Sequence, residues 1–462
     1  MRTERGFVLP SALSLAALQR EPCWCRVIRA VGPTSVMNTL RIIQIGDVHW
    51  PDSAAQQLAD IKDQSFPQNV LERVTQNALQ SVIREVQAQL ENKCHAIVLC
   101  GDLTSRGETS GYRDCARYLV EALDLRHLGV QRVHAVPGNH DVDRGQIDPA
   151  GGDLFGKFAT CRETWDALSL PILTVDKFRK TSVSRGKMCK AAIFSLNSSV
   201  GCGERRHLPN QIRTGLEALL KGYSSTAGPK AAFALVGETL DTPAFLHDDV
   251  EGICHEIREL NATALPIVVA HHNILPQRLL RVELYTELLN AGVVRSRLSR
   301  LQRPLLYCHG HIHDDPLEIV HEPQYAGSRV VCVSAPELVQ GFNLLQVEFG
   351  SKGFPLGCRV FAFRLDHHNG EVRPLETRVP LCLPDQRGIG RLANDRVPRL
   401  LSILPSTDMR LGDLHERLLR PEANLTMDQL ADLLAEAEWL GAVQITNREE
   451  SPEYRSVRRV AR

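Results

Sequence analysis

The chain has 462 residues, 54 Lys and Arg against 54 Asp and Glu, and 43% hydrophobic but only 5% aromatic content. That length exceeds one ordinary core, and the apolar fraction excludes wholesale disorder. Zero formal net charge argues against a polyelectrolyte that wraps nucleic acid or coats an anionic membrane, and no stretch approaches the roughly 20 apolar residues that span a bilayer.

Residues 1–38 begin with a basic Met1–Arg5 and an apolar Phe7–Leu18, which faintly imitates a secretory signal. Pro10 and two serines interrupt it, so the reading is a poorly ordered extension ahead of a folded domain at 39–383. The 13 cysteines are odd in number and scattered, which suits small buried hydrophobes in a reducing, cytoplasmic setting. Short apolar runs then recur, each followed by a polar cluster. Arg41–Ile45 leads into Gly46-Asp47-Val48-His49, Ala96–Cys100 into Gly101-Asp102, and Val133–Val136 into Gly138-Asn139-His140-Asp141. Pro266–Ala270 leads into His271-His272-Asn273, and Leu305–Cys308 into His309-Gly310-His311-Ile312-His313. Such runs read as buried strands. Further strands are predicted at Ala191–Leu196 and Arg329–Val333, and a hairpin around Asn369-Gly370.

Between the strands, Pro67–Leu90 and Tyr112–Leu125 carry apolar residues at helical spacing, giving an α/β layered fold. Residues 142–190, with Phe155, Phe158 and Trp165 on a predicted helix, read as a cap beside the site. Residues 384–398 are rich in Gly, Arg, Asp and Pro and read as a linker. Residues 399–462, helices and then a small hairpin, read as a winged-helix-like domain.

Each polar cluster follows the C-terminal end of a strand, the edge at which sites assemble in α/β sheets. Carboxylate, carboxamide and imidazole without thiolate suit Mn, Fe or Zn. In order and type, Asp47-Val-His49, Gly101-Asp102, Gly138-Asn-His-Asp141, His271 and Gly310-His-Ile-His313 resemble the calcineurin-like metallophosphoesterase superfamily. The resemblance implies a β-sandwich of two mixed sheets flanked by helices, and a dinuclear centre of two divalent metal ions. One metal takes Asp47, His49 and His313, the other Asn139, His271 and His311, with Asp102 bridging. It also implies that His140 stabilises phosphate and donates a proton to the leaving oxygen, that Asp141 orients His140, and that His272 lies just outside the ligands.

Arg106 is a candidate phosphate fork. Gly101-Asp-Leu-Thr-Ser-Arg-Gly107 is similar to a stretch of Ser/Thr phosphoprotein phosphatases, but Ser105 replaces their second Asp. The motif and Phe194-Ser-Leu-Asn-Ser198 look more like bacterial class III cyclic-nucleotide phosphodiesterases. The first expectation is therefore a phosphodiesterase acting on cyclic or small nucleotide diesters. The alternatives are a nuclease on DNA or RNA, and a low-turnover metal-binding scaffold acting through its C-terminal domain. Thr426–Trp439 carries acids but no Lys or Arg, so that domain is a poor DNA reader and a protein contact is favoured over nucleic acid. No membrane contact is expected.

Overall fold

The computed structural model describes residues 38–462 except 51–67, 93, 106–108, 148–152, 204–209, 228–241, 277–286, 314–316, 326, 367, 383–388, 420–424 and 461–462. Thus the extension before residue 38, Arg106 and residues 384–388 of the expected linker lie outside the described residues. Strands β1 (Asn38–Ile45), β2 (Ala96–Leu99) and β3 (Val133–Ala135) are followed by β4 (Arg179–Arg185), β5 (Cys189–Ser195) and β6 (Ala264–Val269). Next come β7 (Pro304–His309), β8 (Leu317–Val320), β9 (Arg329–Ser334), β10 (Gly341–Phe349), β11 (Pro355–Asp366) and β12 (Glu371–Pro380). The C-terminal region adds β13 (Met409–Arg410), β14 (Val443–Thr446) and β15 (Ser456–Arg459).

Two six-stranded mixed sheets result, ordered β12-β11-β10-β1-β2-β3 and β4-β5-β6-β7-β9-β8. In the first, β1, β2 and β3 are parallel; in the second, β5, β6, β7 and β9 are. Alternation along β1 shows why the sheets stack. Leu40 and Ile42 face inward against Ile193, Ile267, Leu306 and Val331 of the second sheet. Ile43 and Ile45 face outward against Val82 and Val86 of helix Gln68–Glu91 and Leu119 of helix Thr109–Ala122. Gln44 also points inward, and its amide donates to the carbonyls of His309 at 2.9 Å and Val333 at 2.8 Å. That buried amide ties the sheets together just below the clustered polar loops. Helices His247–Glu259 and Ala291–Ser299 cover the outer face of the second sheet.

The stretch read as a cap does something different. Trp165, on helix Ala159–Ala167, is fully buried in the core outside the first sheet and donates its indole N–H to Tyr112 Oη at 2.9 Å. The chain then crosses to β4, an edge strand of the second sheet. Val142, Phe158 and Val175 of this stretch pack with Cys202, and buried Lys157 donates to the Val200 and Cys202 carbonyls.

The linker expectation is also corrected. Within 384–398 the described residues form helix Ile389–Leu392 and the start of helix Arg396–Ile403, and Ile389, Ala393 and Val397 are buried. These helices, helices Leu411–Leu419 and Met427–Trp439, and the three-stranded sheet β13-β15-β14 share one core with Leu356 of β11. Trp439 seals the join. Its Nε1 donates to Glu348 at 2.5 Å, and Arg378 lies 4.4 Å over its ring. Among the described residues, no helix is long and apolar enough to cross a membrane.

Candidate metal centre

The C-terminal ends of the parallel strands of both sheets converge. Asp47 and His49 follow β1, Asp102 follows β2, and Asn139 and His140 follow β3. From the second sheet, His271 follows β6, and His311 and His313 follow β7. The turns that aim these side chains are tight. Asp47, His49, Asp102, His311 and His313 all hold positive φ, between 49° and 71°. This is a sparsely populated region for non-glycine residues, in which Asp and His are among the better tolerated. Two glycines let backbone close on the carboxylates: a Cβ at Gly138 would collide with Asp102 Oδ1, and one at Gly310 with Asp47 Oδ2.

Two groups of donors form. In the first, Asp47, His49, Asp102 and His313 present atoms all within 4.8 Å of one another. His49 Nε2 and His313 Nε2 face each other at 2.9 Å, and His313 Nε2 lies 3.4 Å from Asp47 Oδ1. In the second, His271, His272 and His311 meet the same limit. Asn139 joins them, with Oδ1 at 3.0 Å from His271 Nε2 and 3.2 Å from His311 Nδ1. Asp102 spans both groups, since its Oδ2 is 3.2 Å from His271 Nε2. Asp47, His49, Asp102 and His313 thus lie in one group, and Asn139, His271 and His311 in the other. His272 lies nearer than anticipated, with Nδ1 on Ser198 Oγ at 2.9 Å.

These donors fit divalent cations. Asp47 and Asp102 are buried, and among the described residues no Lys or Arg pairs with either. Asp102 Oδ2 accepts no hydrogen bond there. His271 Nδ1 donates to the Cys100 carbonyl at 2.7 Å, which turns Nε2 toward two oxygens. Each nitrogen so turned needs a proton or a metal. The metal-free electrostatics agree. Burial opposes the charge on His271, but Asp102 outweighs it and raises the imidazole to about 9. Burial likewise opposes charge on His313, yet Asp47 and Glu337 raise it to about 10. Burial and the neighbouring His271 push His311 down to about 3. Burial works against ionisation of Asp47 and Asp102, but the surrounding imidazoles hold both below the ordinary carboxylate value.

His140 sits beside the first group, its ring 5.2 Å from that of His49. Its backbone N–H donates to Asp102 Oδ1 at 2.9 Å, and its Nδ1 meets the Ser105 carbonyl at 2.6 Å. The expectation that Asp141 orients His140 is therefore corrected. The Asp141 carboxylate turns inward and accepts from Gly138 N at 2.9 Å and Thr104 N at 3.1 Å, bracing the loops that carry Asn139 and Asp102. Burial, then the Asp102 charge, raises Asp141 to about 7.

Two partners escaped the sequence reading. Ser198 Oγ accepts the backbone N–H groups of His271 and His272. Glu337 Oε1 lies 2.9 Å from His313 Nδ1. Glu337 follows β9, parallel to β7, so the rule that flagged the other clusters also reaches it. His309 is buried with Nδ1 against the Gly310 carbonyl at 3.0 Å.

The family described as calcineurin-like phosphoesterase matches residues 40–315. The chain belongs to this family, and it is a phosphoester hydrolase whose His/Asp cluster fits the dinuclear divalent-metal centre such enzymes use. Among solved structures it is similar to a dimetal phosphatase from Danio rerio, with 12% identity, TM-score 0.42, and coverage of 74% of this chain and 99% of that one. It is also similar to the phosphopantetheinyl hydrolase of Mycobacterium tuberculosis (14% identity, TM-score 0.31, 66% and 92% covered). A third is the NAD nucleotidase of Haemophilus influenzae (10%, 0.36, 74% and 56%). No curated protein matches the chain.

Proposed function

We propose that the chain is a phosphodiesterase acting on cyclic or other small nucleotide diesters, with two divalent cations (Mn, Fe or Zn) bound by Asp47, His49, Asp102, Asn139, His271, His311 and His313. The observation that carries this reading is the meeting of these side chains from both sheets, with His140 against them and the Asp102 carboxylate between the two groups. When bound, the cations supply charge that polarises phosphoryl oxygens and acidifies water.

The protein's own residues supply the remainder. Asp47 and Asp102 would offset the mutual repulsion of two bound cations. The Cys100 carbonyl fixes ring orientation at His271. His140, held through Nδ1 by the Ser105 carbonyl, keeps Nε2 free for a phosphate oxygen and for the proton the leaving oxygen needs. Ser105 itself argues against phosphoprotein substrates, because a backbone carbonyl and not a carboxylate braces that histidine. The C-terminal unit, winged-helix-like in its helices and hairpin, spends one face on the first sheet, which favours a structural role there over recruitment of nucleic acid.

A hydrolysis screen tests the reading. Protein loaded with Mn²⁺ is offered bis(p-nitrophenyl) phosphate, cyclic nucleotides, dinucleotides, plasmid and single-stranded DNA, and phosphopeptides. Turnover of the aryl diester and of cyclic or small nucleotides is expected. Faster cleavage of DNA would replace the reading with a nuclease, and no turnover with Mn, Fe or Zn would replace it with a scaffold.

A further inference from the structure

We propose that Glu337 is a positioning residue of the metal centre: by accepting the Nδ1–H of His313, its carboxylate aims the Nε2 of that ring at Asp47 and His49. The inference rests on His313 being a ligand, as argued above. His313 needs such a partner more than His271 does. Its side chain is 32% exposed, whereas that of His271 is fully buried. A half-exposed ring samples more rotamers, and fixing it costs conformational entropy unless a partner holds it. Packing and the Cys100 carbonyl hold His271; the contact at 2.9 Å to Glu337 Oε1 holds His313.

Glu337 is itself held in place. Its Oε2 accepts from Gln340 Nε2 at 3.3 Å. Its backbone forms a parallel bridge with Gly46, and the next residue, Leu338, donates its N–H to the Asp47 carbonyl at 3.2 Å. One short loop between β9 and β10 therefore registers the backbone of Asp47 and the ring of His313 together. A carboxylate in this position also raises the basicity of the imidazole it faces, strengthening it as a ligand.

The test uses the full chain and counts metal as well as turnover. Mn²⁺ is titrated calorimetrically into metal-free wild type, Glu337→Ala and Glu337→Gln, and Co²⁺-loaded samples are compared by visible absorption. Wild type is expected to bind two ions. Glu337→Ala should weaken one of the two by roughly 10–100-fold and leave the other near wild type. It should also alter the Co²⁺ absorption. Glu337→Gln, whose side-chain carbonyl still accepts Nδ1–H, should recover part of the loss. Unchanged affinity in Glu337→Ala, equal losses at both sites, or a Gln variant no better than Ala would overturn the proposal. Failure of wild type to bind two ions would instead overturn the reading of the centre itself.

Discussion

At the C-terminal ends of β1, β2 and β7, five non-glycine residues hold left-handed backbone conformations, whereas along helix Met427–Trp439 each local choice agrees with the fold. Thr426 and Gln429 close a capping box, Leu430, Leu434 and Ala437 are buried, and Trp439 docks on the first sheet. The buried Glu436 carboxylate accepts from Ser351 N at 2.6 Å, in the turn after β10, and from Asn394 N at 2.7 Å, just before helix Arg396–Ile403. Left-handed non-glycine positions cost of order 1–3 kcal/mol each and persist only where their surroundings impose them. A sequence consistent at one end and strained at the other stores its function at the strained end.

The largest test of that contrast is His140→Ala. It should lower turnover of bis(p-nitrophenyl) phosphate by about 10²–10⁴-fold, the range typical of general acid–base groups. Metal stoichiometry and thermal midpoint should hardly move. Loss of bound metal in this variant would show that His140 belongs to the ligand set. Trp439→Ala should do the reverse. A buried Trp→Ala change costs about 3–5 kcal/mol, and here it also removes the indole donor to Glu348 Oε2. Denaturant unfolding should show that loss while the folded variant still binds two ions; weaker metal binding would mean that the docking face and the centre are coupled.

A smaller effect follows from pH. In the metal-free protein His271 is raised to about 9 and His313 to about 10, so both carry protons at pH 7. A metal must displace those protons. Apparent affinity should therefore rise as pH climbs from 6 toward 9, by up to about tenfold per unit for each proton released. Calorimetry in buffers of different ionisation enthalpy counts the protons, and a flat profile would mean that these imidazoles do not exchange proton for metal.

What was legible in the sequence follows the same division. β1, β2, β3, β6 and β7 announced themselves as apolar runs ending in metal-binding residue types, and their trailing residues meet in space. β10 pairs directly with β1, yet Asn343, Gln346 and Glu348 interrupt its apolar run and nothing chemical follows it. β4 buries only Thr181 and Val183, too little alternation to read. Helix Arg396–Ile403 was hidden by a composition of Pro and Arg, although Val397, Leu400 and Leu401 make a buried stripe; Pro398 is tolerated in the first turn. Asp141 was misread because adjacency in sequence suggested His140, while the turn sends its carboxylate the other way, to Gly138 and Thr104.

Gly357→Ala is the finest probe of the docking face. Gly357 lies in β11, where a Cβ would run into the Trp439 ring. The ring is not the free end of a flexible chain: Glu348 fixes its Nε1 and Arg378 covers its face. Relief must come from moving the helix, and overpacking of this kind typically costs about 1–3 kcal/mol. The expected result is a lower thermal midpoint with unchanged turnover per folded molecule. Should Gly357→Ala leave stability intact, the helix is free to slide on the sheet, and the rigid seating of the C-terminal unit falls; should it reduce turnover, strain at β11 reaches the loop before β10 and the two ends of the fold are not independent.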